Sequence, residues 1–232
     1  MIIKSEKVKN AVALSFTLIM AVLWVIIVFV SGNKYLTYAS VLTCAIFALI
    51  NFSKEKSVVF QILAFAFTLV ADFFLMILEG SYKTVAMSTF LIAQIFYALK
   101  ILLYARSKAE KRLQIVLRGT LSVIGGLAVF IVLRENTEAL FVISVIYYIN
   151  LILSAVFAYI HFDKGCEQKL TAIGLTLFAL CDITIGFDFL IDIFSLGKTS
   201  VLYKINHLKI SLVHVFYYPS QTLLSLSVLK SK

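Results

Sequence analysis

Apolar stretches of about 20 residues recur along the whole chain, separated by short polar links rich in lysine and arginine. A helix of about 20 residues spans the ~30 Å hydrocarbon core of a bilayer. The pattern predicts helices near 10–31, 35–52, 58–79, 84–105, 113–133, 138–160, 170–194 and 207–229. Period-two alternation over ~10-residue segments is absent, which argues against a membrane β-barrel. The expected architecture is an all-α integral membrane protein. It forms a single bundle of about eight transmembrane helices over residues 1–232, without linker or second domain. The first apolar stretch is longer than the ~7–15 residues of a signal-peptide core and reads as a retained helix.

Composition agrees: 62% of residues are hydrophobic and 14% charged, against about 25% charged in soluble domains. The net charge of +9 could suggest nucleic acid, but its position in short loops points to topology instead. Thirteen Lys and Arg fall on one side of the eight-helix arrangement, among them Lys7, Lys54, Lys56, Arg106, Lys164 and Lys169. Six fall on the other: Lys34, Lys83, Arg134, Lys198, Lys204 and Lys209. The positive-inside rule places the first side, and both termini, in the cytoplasm of a multi-pass cell-membrane protein. Lys100 and Arg118 lie within spans near their inner ends, where their stems could snorkel to the interface. Cys44, Cys166 and Cys181 form no CxxC motif and read as free thiols. With His161 and His207 at loops, a histidine metal site is not expected. No internal repeat is evident, which removes one simple argument for a transporter. The Gly125-Gly126 pair permits close helix approach but does not set an oligomeric state.

A carboxylate within a bilayer costs at least ~2.5 kcal/mol on insertion scales, so each one is a functional candidate. Asp72 and Asp182 lie ~21 Å and ~18 Å from the inner ends of their helices, at matched depth. Two such groups can face one cavity. Asp188 falls on another face; Glu79 and Asp192 are near helix ends and read as interfacial. Gln94 and Tyr97 share a face of the fourth helix, Asn150 is mid-sixth, and Tyr217, Tyr218 and Gln221 flank Pro219 in the last, with His214 a turn further out. Proline frees a backbone carbonyl, which suits a cavity wall. The competing reading of the Gln and Asn is interhelical hydrogen bonding, and of the tyrosines packing or interface anchoring.

At these residues the chain resembles the lysoplasmalogenase, or YhhN, family of eight-helix membrane proteins. The resemblance rests on Ala71-Asp72-Phe73-Phe74-Leu75, on Phe90-Leu91-Ile92-Ala93-Gln94-Ile95-Phe96-Tyr97, on Gly174 through Cys181-Asp182, and on Tyr217-Tyr218-Pro219-Ser220-Gln221. Ala71, Gln94 and Cys181 stand where the family pattern has Gly, His and Ser, and the Lys-Pro element near the second helix is missing. The resemblance implies hydrolysis of the vinyl ether bond of a lysoplasmalogen to a fatty aldehyde and a glycerophospho-alcohol. Protonation of carbon creates an oxocarbenium-like centre, water adds, and the hemiacetal collapses. One group must supply a proton and another must activate water. Asp72 and Asp182 are the expected acid–base pair, since close like charges in a low-dielectric site disfavour double ionisation. Gln94, Tyr97, Asn150, Tyr218 and Gln221 are the expected substrate-binding groups. The expected partners are a lysophospholipid or ether lipid and the membrane, with no nucleic acid, metal or other cofactor. Two other classes remain open: a small proton-coupled transporter, and a noncatalytic lipid-binding membrane protein.

Overall fold

The computed structural model describes residues 6–29, 33–78, 82–134, 138–193, 197, 200–206 and 211–229. They are almost entirely helical: α1 (Glu6–Phe29), α2 (Lys34–Ile50), α3 (Lys56–Asp72), α4 (Lys83–Leu102), α5 (Lys108–Leu133), α6 (Ala139–Ile160), α7 (Cys166–Ile193), α8 (Val201–Asn206) and α9 (Leu212–Leu226). Among the described residues there is no strand, as the hydropathy pattern requires. Six of the helices are long and apolar enough to cross a membrane: α1, α3 with its extension to Ile77, α4, α5, α6 and α7. The chain is therefore an all-α membrane bundle. Two expected spans are shorter, with α2 at 17 residues and the described part of α9 at 15. The short α8 was not expected. Glu79, Lys198, His207 and Lys209 lie outside the described residues, as do the side chains of Asp188 and Asp192.

Local chemistry sets several boundaries. The Asn33 side chain accepts from the amides of Tyr35 and Leu36 and caps α2. Ser107 Oγ accepts from the Glu110 amide at the start of α5, while Glu110 Oε2 accepts from the Arg106 amide 2.6 Å away, a near relative of the capping box. α3 ends in one π-helical turn, Phe73–Ile77, in which the Leu78 amide reaches back to Phe73 O at 3.2 Å. Such turns often mark functional positions, and this one begins directly after Asp72.

The helices pack around a common interior. Each neighbours the next in the order α2, α3, α4, α6, α7, α9, and α9 returns to α2. α1 covers the α2–α9 seam, where Phe16 stacks on Phe47. α5 lies outside against α6, and its buried residues are only Gln114 and Arg118. The outer surface stays apolar: Leu14, Leu18 and Val22 on α1 and Leu127, Phe130 and Ile131 on α5 are all exposed. Hydrocarbon is the solvent that such a surface fits.

Both basic residues expected to snorkel turn inward instead. Arg118 is buried, and its Nη1 donates to Asn150 O at 3.0 Å and Ser154 Oγ at 3.1 Å. Lys100 is fully buried among four helices. In each case acceptors on neighbouring helices outcompete the interface. The links expected on one side do meet: Arg106 pairs with Asp163 at 3.0 Å, and His161, buried despite its loop position, meets Glu110 at 2.6 Å. Both members of the Arg106–Asp163 pair are largely exposed. Asp163 feels slight desolvation, yet the Arg106 guanidinium holds its carboxyl below the usual carboxylate range. Cys44 and Cys181 are buried free thiols, and Cys166 is exposed.

The α7–α9 contact is a close one and tests this packing. A Cβ on Gly174 would stand 2.8 Å from Leu224 Cγ and 3.3 Å from the Leu224 amide nitrogen. Gly174→Val is expected to destabilise the bundle by ~1–3 kcal/mol, while Gly186→Ala, with open space around the new Cβ, should leave the detergent melting temperature unchanged or slightly higher. Arg118→Ala removes one polar tie between α5 and α6 and should cost ~1–3 kcal/mol in the same melt. An unchanged midpoint would show that the Arg118 contacts add nothing to the docking of α5.

Candidate functional site

Four helices of the ring, α3, α4, α7 and α9, carry polar groups at helical spacing on their inward faces, and α6 adds a tyrosine. On α3 the stripe is Gln61, Thr68 and Asp72; on α7 it is Gln168, Thr171 and Asp182. α4 contributes Gln94, Tyr97 and Lys100, α6 contributes Tyr147, and α9 contributes Tyr217, Tyr218 and Gln221. Steps of three, four and seven residues keep such groups on one face, so they converge in the interior.

Asp72 is 1% exposed, and Asp182 is only partly exposed. The Tyr217 hydroxyl donates to Asp72 Oδ2, and the Tyr147 hydroxyl donates to Asp182 Oδ2. The two carboxylates are close enough for their charges to act on one another. Asp72 also lies within electrostatic reach of Tyr38, and Asp182 of Tyr148, both partly exposed tyrosines. Aromatic rings seal the level between them: Phe178 meets Phe90 and Tyr217 edge-on, and Phe90 packs against Tyr147. The structure thus brings together the two carboxylates singled out in the sequence, each fixed by a tyrosine.

Below this pair, toward the end of the bundle that carries Lys54 and Arg106, lie four of the five expected binding groups. Gln94 and Gln221 are buried, and neither amide makes a hydrogen bond within the protein. The Tyr97 hydroxyl faces Gln61 and Thr68, and the Tyr218 hydroxyl faces Thr37 and Ser40, without closing a bond to them. Unmet polar groups at this depth cost ~1–3 kcal/mol each unless a polar guest or water satisfies them. Asn150 differs. Its Nδ2 donates to Ser122 Oγ at 3.2 Å and to Ile146 O at 2.8 Å, on the side of α6 that receives Arg118. It ties α5 to α6 and bonds to neither carboxylate.

Further down sits Lys100, which the sequence pattern placed at the interface rather than in this interior. Lys100 Nζ donates to Gln61 Oε1 at 2.9 Å, Thr171 Oγ1 at 3.0 Å and Ser227 Oγ at 2.8 Å, and stands 3.5 Å from Glu167 Oε1. The inward stripes that carry Gln61 and Thr171 were the available signal. Lys100 lies eleven residues below Asp72 along α3, through Gln61, and eleven below Asp182 along α7, through Thr171. Both routes give ~16 Å. Glu167 in turn approaches Tyr104, which also neighbours Ser57 and Gln168. Burial first, and then the Glu167 carboxylate, push the Tyr104 phenol well above its usual range, so it stays a neutral donor.

Chemically, the upper level offers two carboxylates with oriented phenol donors, which can give and take protons. Among the described residues no group of three or more His, Cys, Asp and Glu side chains converges. Comparison with curated proteins and with solved structures gives no match. The scan against family profiles matches the YhhN family over residues 32–228, which covers every helix of the ring and both carboxylates. With the eight-helix pattern, the four ordered motifs and this match in agreement, the chain belongs to the YhhN family.

Proposed function

We propose that the protein is a membrane-embedded hydrolase of the lysoplasmalogenase type, cleaving the vinyl ether bond of a lysoplasmalogen with Asp72 and Asp182 as acid and base. The observation that carries this reading is the pair of interior carboxylates, each held by its own tyrosine. One carboxyl group protonates the vinyl carbon remote from oxygen. The other, ionised, faces the oxocarbenium centre and stabilises it. Water adds at that centre and gives its proton to the same carboxylate. The hemiacetal then splits into aldehyde and alcohol, with a proton passing to the departing oxygen. The sum is one water consumed and no net proton.

Tyr147 and Tyr217 orient the carboxylates rather than attack substrate, since each hydroxyl is already committed to a carboxylate oxygen. Gln94, Tyr97, Tyr218 and Gln221 supply polar atoms for the substrate or for its water. Lys100 is too remote to hold the headgroup, because the phosphorus of a lysoplasmalogen lies only a few bonds from the vinyl ether oxygen, whereas the ammonium sits ~16 Å down the bundle. The positive-inside count supports a cell-membrane setting with both termini cytoplasmic.

A second reading, a proton-coupled carrier, draws on the buried Lys100–Glu167 pair, since ionisable residues inside a bundle also mark proton relays. Detergent-purified protein supplied with lysoplasmenyl-choline or lysoplasmenyl-ethanolamine separates the two. Aldehyde release is expected without any gradient, falling at least about 100-fold in Asp72→Asn and in Asp182→Asn. Tyr147→Phe and Tyr217→Phe should each lower kcat by about tenfold, the scale of one charge-assisted hydrogen bond. Full activity in both Asp variants would refute the assignment, and gradient-dependent flux without aldehyde would favour the carrier.

A further inference from the structure

The polar interior does not stop at the carboxylates. Asp72 lies within electrostatic reach of Tyr97, and the Tyr97 hydroxyl faces Thr68 and Gln61. Gln61 Oε1 accepts from Lys100 Nζ, and Lys100 faces Glu167. Glu167 meets Tyr104, at a surface groove also lined by Lys54, Lys56 and Ser57. From Asp72 to the basic end, each polar group neighbours the next.

The atoms along this line are under-satisfied in a consistent way. Gln61 Nε2, Thr68 Oγ1, the Tyr97 hydroxyl and Glu167 Oε1 are all buried without a hydrogen-bond partner in the protein. Thr68 is telling. Thr17, Thr43, Thr89 and Thr176 each return their hydroxyl to the carbonyl four residues back, the usual arrangement in a helix. Thr68 does not, and its hydroxyl stands beside Tyr97 instead. Buried side chains with spare donors and acceptors, following one another along a line, are what bound water requires, at two to four polar partners each.

We infer that this line is a water-filled proton path connecting the Asp72–Asp182 pair to the basic end of the bundle, with the Lys100–Glu167 pair as its narrow point. Protons move along it by exchange between water and hydroxyl groups, so each proton delivered to a carboxylate is replaced by one entering the file at the Tyr104 groove, and each proton released by a carboxyl sends one out there. The inference stands whether the pair cleaves a vinyl ether or couples transport. In the hydrolase cycle it would reset the pair after one carboxyl has lost a proton and the other has gained one.

The test uses the full chain in lipid nanodiscs without substrate. Infrared spectroscopy follows hydrogen–deuterium exchange of the carboxylic-acid carbonyl band that the Asp72→Asn and Asp182→Asn variants remove. Lys100→Met closes the narrow point with an apolar side chain, and Thr68→Val removes one unpartnered hydroxyl at constant shape. Exchange in each folded variant is expected to be at least about tenfold slower than in the parent, the scale of one broken hydrogen-bonded link. Exchange at the parental rate in folded Thr68→Val would overturn the path, as protons would then reach the pair by another route. If Lys100→Met does not fold, Thr68→Val decides alone. Because no turnover is measured, failure here is distinct from failure to release aldehyde.

Discussion

A lysine ammonium buried inside an apolar bundle must be surrounded by acceptors, and much of the structure follows from how Lys100 meets that demand. Its partners come from α3, α7 and α9 through Gln61, Thr171 and Ser227. Those same helices carry Asp72, Asp182 and Tyr217. A helix is a rigid ruler over three turns, so fixing Gln61 and Thr171 on one ammonium also fixes the relative height of the two carboxylates above it. Removing a partner from such a cluster leaves a charged donor unmet in low dielectric, which is far costlier than replacing the whole cluster with apolar groups.

The second constraint is that no polar group here can be satisfied by bulk solvent. The bundle answers in two ways. Where helices need only be joined, polar groups bond directly to one another, as when Arg118 Nη1 donates to Asn150 O and Ser154 Oγ and Asn150 donates to Ser122 between α5 and α6, although Arg118 Nε and Nη2 and the Gln114 amide on α5 keep no partner within the protein. Along the central line from Asp72 to Glu167, donors and acceptors are left over at Thr68 Oγ1, the Tyr97 hydroxyl, Gln61 Nε2 and Glu167 Oε1.

Much of this was legible in the sequence, and the failures have specific causes. Helix positions follow from apolar runs, and the two carboxylates stand out because an acidic residue in such a run is expensive. Lys100 and Arg118 misled because snorkelling is the default for a long basic side chain near a helix end, and the default fails when acceptors on other helices lie nearer than the interface. Asn150 sits at the right depth, but depth does not reveal azimuth, and its side chain points to α5 rather than the interior. Tyr147 and Tyr217 acquire their roles only through tertiary pairing. The inward stripe of Gln61, Thr68 and Asp72 was visible as spacing, yet with Gln and Thr so often interhelical glue, spacing alone gave no reason to single it out.

Where the family pattern has histidine, this chain carries Gln94, an amide that can hold water or substrate but cannot carry a proton at neutral pH. The groups able to exchange protons at the upper level are then the two carboxylates, with tyrosine phenols and the buried Cys181 thiol beside them. In the proposed reaction two carboxyls suffice for one acid step and one base step, but the addition of water would leave them in exchanged states. Without a mobile imidazole nearby, the pair must either pass a proton directly between its members or trade with solvent. Separate tyrosine donors hold the two carboxylates, which favours fixed positions over the reorientation that direct transfer would need. Trade with solvent is the remaining route, and the line of unmet hydroxyls and amides descending toward Lys100 is placed to provide it.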